Sequence, residues 1–202
     1  MRKFFLITAV LLLCATYSQA QINASTFGMM EARQLGPGTM SGRITDIAGV
    51  NSDGKTLYIG TAGGGIWKST DHGVTWNLLP NTTGFWNVSR VLCDAAGNVY
   101  VATIGNFGIQ RSTNGGASWT SITPTGLTTR VTEMRISNTG RMHIVCGYRN
   151  SGTSGYRYTD NPSTVTENSW TEPVTTFPTA FNSELAVSGN ILYVLPANSS
   201  YR

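Results

Sequence analysis

Apolar and polar positions along this chain fall into short runs, and the runs recur in groups of four. In the first group they are Arg43–Ala48, Thr56–Thr61, Gly65–Ser69 and Thr75–Leu79. Each has the length of a strand. Turn-forming clusters divide them: Asn51-Ser52-Asp53-Gly54, Ala62-Gly63-Gly64 and Asp71-His72-Gly73. The second run is apolar on both faces, as a middle strand covered from either side must be. No stretch past the first twenty residues keeps a helical period, so the pattern predicts an all-β chain.

The groups repeat. Ser69-Thr70-Asp71-His72-Gly73-Val74-Thr75-Trp76 returns 43 residues later as Ser112-Thr113-Asn114-Gly115-Gly116-Ala117-Ser118-Trp119. The preceding strands match as well: Leu57–Thr61 with Val99–Thr103, and Gly65–Lys68 with Gly108–Arg111. Met142–Cys146 opens a third copy, with Tyr158-Thr159-Asp160 and Trp170 as a stretched octad, and Leu192–Leu195 opens a fourth. A period in the forties with four short strands per copy is the signature of a β-propeller of four-stranded antiparallel blades. The blades are expected at 43–80, 87–122, 130–173 and, in part, 182–202, about three and a half in all. Residues 21–42 form a lead-in in which Thr26–Leu35 is a candidate closing strand. Because the fourth copy shows only two strands, the chain is expected to be the amino-terminal part of a longer product.

Within the octads, Asp71 is placed to accept N–H groups of its own turn, Gly73 to take a positive φ, and Trp76 to cover the hairpin. Ser69 completes this set in the first copy, and Ser112, Asn114, Gly116 and Trp119 take the same places in the second. Asn114 in place of Asp71 marks the task as local hydrogen bonding rather than proton transfer, so the octad residues are structural. These octads resemble the Asp-box, or bacterial neuraminidase repeat. The entry Gly36-Pro37-Gly38-Thr39-Met40-Ser41-Gly42-Arg43-Ile44 and the run Gly60–Asp71 resemble the start of secreted bacterial proteins with sortilin-like or glycosyl-hydrolase-like propellers. The resemblance implies a propeller and leaves the activity open, since it spans sialidases, xyloglucanases, sorting receptors and assembly factors. A sialidase would need an arginine triad and a Tyr–Glu pair. Arg43 is similar to the first arginine only in its place near the first inner strand, and no full set can be assigned. A xyloglucanase of this type would carry its Asp in the turn that here reads Thr61-Ala62-Gly63-Gly64, where Ala62 stands instead.

Aligning the innermost strands adds a constellation that belongs to no motif. Thr45, Ser89, Thr132 and Ser183 fill one column, and Asp46, Arg90, Glu133 and Glu184 fill the next. Inner strands line a propeller's channel, so the four charges are expected around it. They are either a salt-bridged ring that closes the channel or a polar floor for a ligand with Glu133 and Glu184 as a carboxylate pair.

Residues 1–20 read as a cleaved export signal: Arg2 and Lys3, an apolar stretch from Phe4 to Ala15, then Ser18-Gln19-Ala20 before Gln21. That stretch is too short to span a bilayer, and Leu13 before Cys14 argues against a lipid anchor. The net charge of +4 includes Arg2 and Lys3, and the remaining basic residues are scattered, so nucleic-acid binding is not expected. An oxidising destination permits a disulfide between Cys93 and Cys146, but they lie in apolar runs of different copies and read instead as buried free thiols. His72 and His143 stand apart, and no metal or cofactor set is legible. Phe85, Trp86 and Phe107 in turns serve either a partner or the packing between blades. Asn81, Asn87 and Asn198 match a glycosylation pattern and are read as chance matches. The sequence favours a secreted binding or scaffold module for an extracellular protein or carbohydrate, with its oligomeric state open. The alternative is a glycoside hydrolase whose catalytic residues lie partly outside this chain.

Overall fold

The computed structural model describes residues 42–82, 84–85, 87–147, 154–173, 182–189 and 191–197. Residues 1–20, read above as an export signal that includes Cys14, the candidate closing strand at 26–35, the entry residues before Gly42, Trp86 and Asn198 lie outside the described residues. Among those described there is no helix, hence none long and apolar enough to cross a membrane.

The strands form antiparallel sheets in chain order. β1 (Ile44–Gly49), β2 (Leu57–Thr61), β3 (Ile66–Ser69) and β4 (Asn77–Leu78) make the first. β5 (Val88–Cys93), β6 (Val99–Thr103), β7 (Ile109–Ser112) and β8 (Thr120–Ser121) make the second. The third has β9 (Val131–Ile136), β10 (Met142–Cys146) and β11 (Gly155–Thr159), with a single bridge from Tyr158 to Thr171 where a fourth strand would pair. β12 (Asn182–Ser188) and β13 (Ile191–Ala197) form the last. The inner strands β1, β5, β9 and β12 pack side by side in that order, as in successive blades of a propeller.

The two-faced apolar pattern of the second strands has a direct cause. In β6, Val99 and Val101 point back into a core shared with Tyr58, Ile66 and Leu79 of the first blade. Tyr100 and Ala102 point forward into a core with Val131, Met134, Met142 and Ile144 of the third. All four β6 residues are 0% exposed. Each strand of this kind therefore serves two cores, and each fully buried aliphatic side chain there contributes about 1.5–3 kcal/mol.

Turns are tied by side chains throughout. Between the first and second strands, Asp53 accepts the N–H groups of Lys55 and Thr56, and Asp94 those of Ala96 and Asn98. Ser137 does the same for Arg141. Thr82 and Thr123, both buried, accept the N–H of Ile66 and Ile109 at 3.1 and 2.8 Å, which anchors the start of each third strand. Asn81 and Asn87 have φ of 59° and 55°, a left-handed turn conformation that asparagine tolerates.

Candidate functional site

The octads are built alike. Ser69 Oγ donates to Asp71 Oδ1 at 2.7 Å and accepts the Gly73 N–H at 2.8 Å. Asp71 accepts the N–H of Thr75 at 2.9 Å and its hydroxyl at 2.6 Å. In the second copy Ser112 donates to Asn114 and accepts the Gly116 N–H, and Asn114 accepts the Ser118 N–H at 2.9 Å. Gly73 and Gly116 have φ of 85° and 94°, and His72 (62°) takes a left-handed place that Gly115 (67°) fills in the second copy. Trp76 closes its hairpin by donating to the Gly73 carbonyl at 3.0 Å. Trp119 instead lies edge-on to Phe85, 5.6 Å between ring centres.

In the third copy Thr159 takes the place of Ser69, and its hydroxyl accepts the N–H of Asn161, as Ser69 accepts that of Asp71. Asn161 therefore occupies the Asp71 position. Asp160 is exposed and pairs with Arg141 through two bonds of 2.6 and 3.0 Å. Trp170 donates to the Ile122 carbonyl of the preceding blade.

The bonds from Thr75, then Ser69, hold the Asp71 carboxyl down at about 2, below its ordinary 3.8. Its stabilising contribution is therefore present above the ordinary value and is lost as pH falls toward the folded one. Asp71→Asn is expected to keep the turn, as Asn114 does, and to remove that dependence. Melting temperatures of parent and variant should differ near about pH 5 and converge near about pH 2. A constant difference over that range would show that the carboxylate charge contributes nothing.

Three of the four inner-strand charges meet. Arg90 on β5 contacts Glu133 Oε1 on β9 and stands 3.9 Å from Glu184 Oε2 on β12. Asp46 is drawn elsewhere: its Oδ2 accepts the N–H of Val91 at 2.9 Å and its Oδ1 that of Ile47. β1, β5 and β9–β10 each shift register at the hydroxyl column, at Thr45, Ser89 and Thr132, just before Asp46, Arg90 and Glu133. The hydroxyls bond main-chain carbonyls, Thr45 to Gly60, Ser89 to Val131 and Thr132 to Val145. The Ser183 side chain lies outside the described residues.

Arg135, absent from the column, is the missing member. Its Nη2 lies 3.2 Å from Glu133 Oε2, an ion pair without hydrogen-bond alignment. It is two residues along β9 from Glu133, hence on the same face of the strand, and that spacing was the available signal. Glu133 is 2% exposed, Arg90 21% and Glu184 70%. Burial pushes the Glu133 carboxyl above its ordinary range, against the pull of Arg135 and Arg90. Arg90, Glu133 and Glu184, with Arg43, Ile44 and Ile104, border an open cleft of about 280 Å³. It offers a guanidinium, an exposed carboxylate and hydroxyls beside small apolar surfaces.

The other expectations separate. Cys93 and Cys146 are free, but only Cys146 is fully buried and Cys93 is half-buried at the sheet end. Burial raises both thiols to about 12, so neither is a reactive thiolate. Phe85 is buried against Trp119 and has no free face for a partner, while Phe107 covers it and is 42% exposed. His143 is buried on β10 with Nδ1 bonded to the Tyr156 hydroxyl, and burial lowers its pKa. Among the described residues no group of His, Cys, Asp and Glu has the geometry of a metal site.

No protein-family model matches the chain. Over 96 aligned residues it is 33% identical to xyloglucanase Xgh74A of Acetivibrio thermocellus, a match covering 35% of this chain and 11% of that protein. A GH74 xyloglucanase from Xanthomonas campestris superposes with a TM-score of 0.51 at 18% identity, over 70% of this chain and 24% of that one. An ancestral GH74 enzyme superposes with a TM-score of 0.61 at 17% identity, over 80% and 22%. At these identities the structural likeness establishes a shared propeller-type fold, and the chain spans only a small part of the relatives it matches.

Proposed function

We propose that this chain is an exported Asp-box propeller module, with blades at 43–80, 87–122, 130–173 and 182–202, that binds an extracellular glycan at the mouth of its channel. One observation carries the reading. The cleft between β1, β5, β9 and β12 gathers Arg90, Glu184 and Arg43 over a buried Glu133. Charged donors and acceptors set beside Ile44 and Ile104 suit a sugar ring, with polar edges and an apolar face. The local identity to a xyloglucanase supports a glycan over a protein ligand. The export signal supports an extracellular site of action.

A second reading, glycoside hydrolysis, is favoured by the two carboxylates on one cleft, one of them raised by burial as a general acid must be. Ala62 in the first-blade turn and the two arginines on Glu133 weigh against it.

Affinity electrophoresis against soluble xyloglucan and other plant glycans separates the readings. Binding is expected to slow the chain in at least one gel, and Glu184→Gln is expected to weaken that retardation about tenfold. No retardation by any glycan on a broad array would sink the glycan reading. Release of reducing ends by the parent, lost in Glu133→Gln, would put hydrolysis in its place.

A further inference from the structure

The same contact recurs between successive blades. Lys68 on β3 donates to the Gly115 carbonyl in the next blade's octad turn at 3.1 Å, and lies 5.4 Å from the centre of the Tyr58 ring opposite it on β2. Arg111, its counterpart on β7 opposite Tyr100, donates to the carbonyls of Pro162 and Val165 in the turn after β11, at 3.1 and 2.9 Å. In both, a cation set across the sheet from a tyrosine receives the carbonyls of the next outer hairpin.

β10 and β11 hold a third such place. There the cross-strand pair is His143 and Tyr158, and the cation is Arg141, 4.4 Å from the centre of the Tyr158 ring. Asp160 holds the Arg141 Nε and Nη2, so Nη1 is without a hydrogen-bond partner among the described residues. Arg141, His143 and Asp160 line a groove of about 440 Å³ whose other wall is Val187, Ile191 and Leu192. Beside it β13 pairs, among the described residues, with β12 alone. Leu192 and Val194 pack back toward Val145 and Leu185, while Ile191, Tyr193 and Leu195 are 57%, 55% and 71% exposed. Tyr100 and Ala102, the counterparts of Tyr193 and Leu195 in β6, are 0% exposed.

We propose that this groove and the β13 edge form a docking site for an outer β-hairpin of the octad type, contributed by a further repeat. Its strand extends the sheet at β13 and its turn carbonyls meet Arg141.

The test joins a copy of residues 108–122 to the carboxyl end of the full chain through a flexible linker of about 20 residues, which sets an effective concentration near millimolar. Amide exchange at residues 191–195 is expected to slow about tenfold relative to a chain carrying the same linker and a scrambled hairpin. Leu195→Asp, at an exposed position, is expected to abolish the slowing, and Arg141→Ala to reduce it severalfold. Exchange at β13 that is unchanged by the tethered hairpin would overturn the proposal. So would slowing that persists with the scrambled hairpin and grows with protein concentration, which marks pairing of β13 between two copies.

Discussion

Arg90→Met is expected to destabilise the fold by about 3 kcal/mol at pH 7, roughly 6–12 °C in melting temperature, and by much less near about pH 4. The variant keeps an aliphatic stem but removes one of the two guanidiniums facing Glu133, which is 2% exposed. Burial already holds that carboxyl above its ordinary 4.5, and losing Arg90 removes one of the pulls opposing burial. A carboxyl raised in the folded state opposes folding only when it is ionised. The penalty is therefore full above the folded pKa and vanishes as pH falls below the unfolded one. Adding Glu133→Met to Arg90→Met is expected to recover most of the loss at pH 7, because no buried anion then remains. Thermal unfolding of parent, single and double variants at both pH values decides it. An equal loss at the two pH values would mean that the Arg90 stem, and not its charge, is what the fold uses.

The second large effect is expected at Gly108. Its φ is 59°, and an added Cβ would stand 2.1 Å from Thr123 Oγ1 and 3.0 Å from Thr123 Cβ. That hydroxyl is the acceptor for the N–H of Ile109, a residue with no exposed surface. Gly108→Ala therefore combines left-handed strain, displacement of Thr123 and an orphaned buried donor, about 3 kcal/mol together. Gly126 isolates the first component, since its φ is 81° and nothing lies within 4 Å of the Cβ position. Gly126→Ala should cost only about 1 kcal/mol. Denaturant midpoints of the two variants would refute the account if they shifted alike.

The fold was legible because repeated turns impose repeated residue types. Ser69, Asp71 and Gly73 each do a task that few side chains can do, so the copy at Ser112, Asn114 and Gly116 keeps their chemistry. Thr82 and Thr123 perform equivalent tasks and stayed hidden, since one lies six residues after Trp76 and the other four after Trp119. The octad in the third copy slipped by a residue because Asn161, not Asp160, follows Thr159 at the right interval. In the channel, alignment brought Arg90, Glu133 and Glu184 to one column. It said nothing of where each carboxylate would find donors. Asp46 found the Val91 main chain, a partner with no side-chain identity to read. Phe85 looked like a loop residue because its burial comes from Trp119 and Phe107 of a later copy.

The forward and backward faces of the middle strands make the copies unequal partners. Gly60 faces Val88 and Val91 of the second blade so closely that a Cβ would stand 2.4 Å from Val88 Cγ1. Its counterpart Ala102 shares a core with Val131 and Met134 and has that carbon to spare. Transplanting one unit in front of another would therefore bring a methyl against valines shaped around its absence. Lineages that lengthen such an array by duplication must retune each seam before the new neighbour can settle.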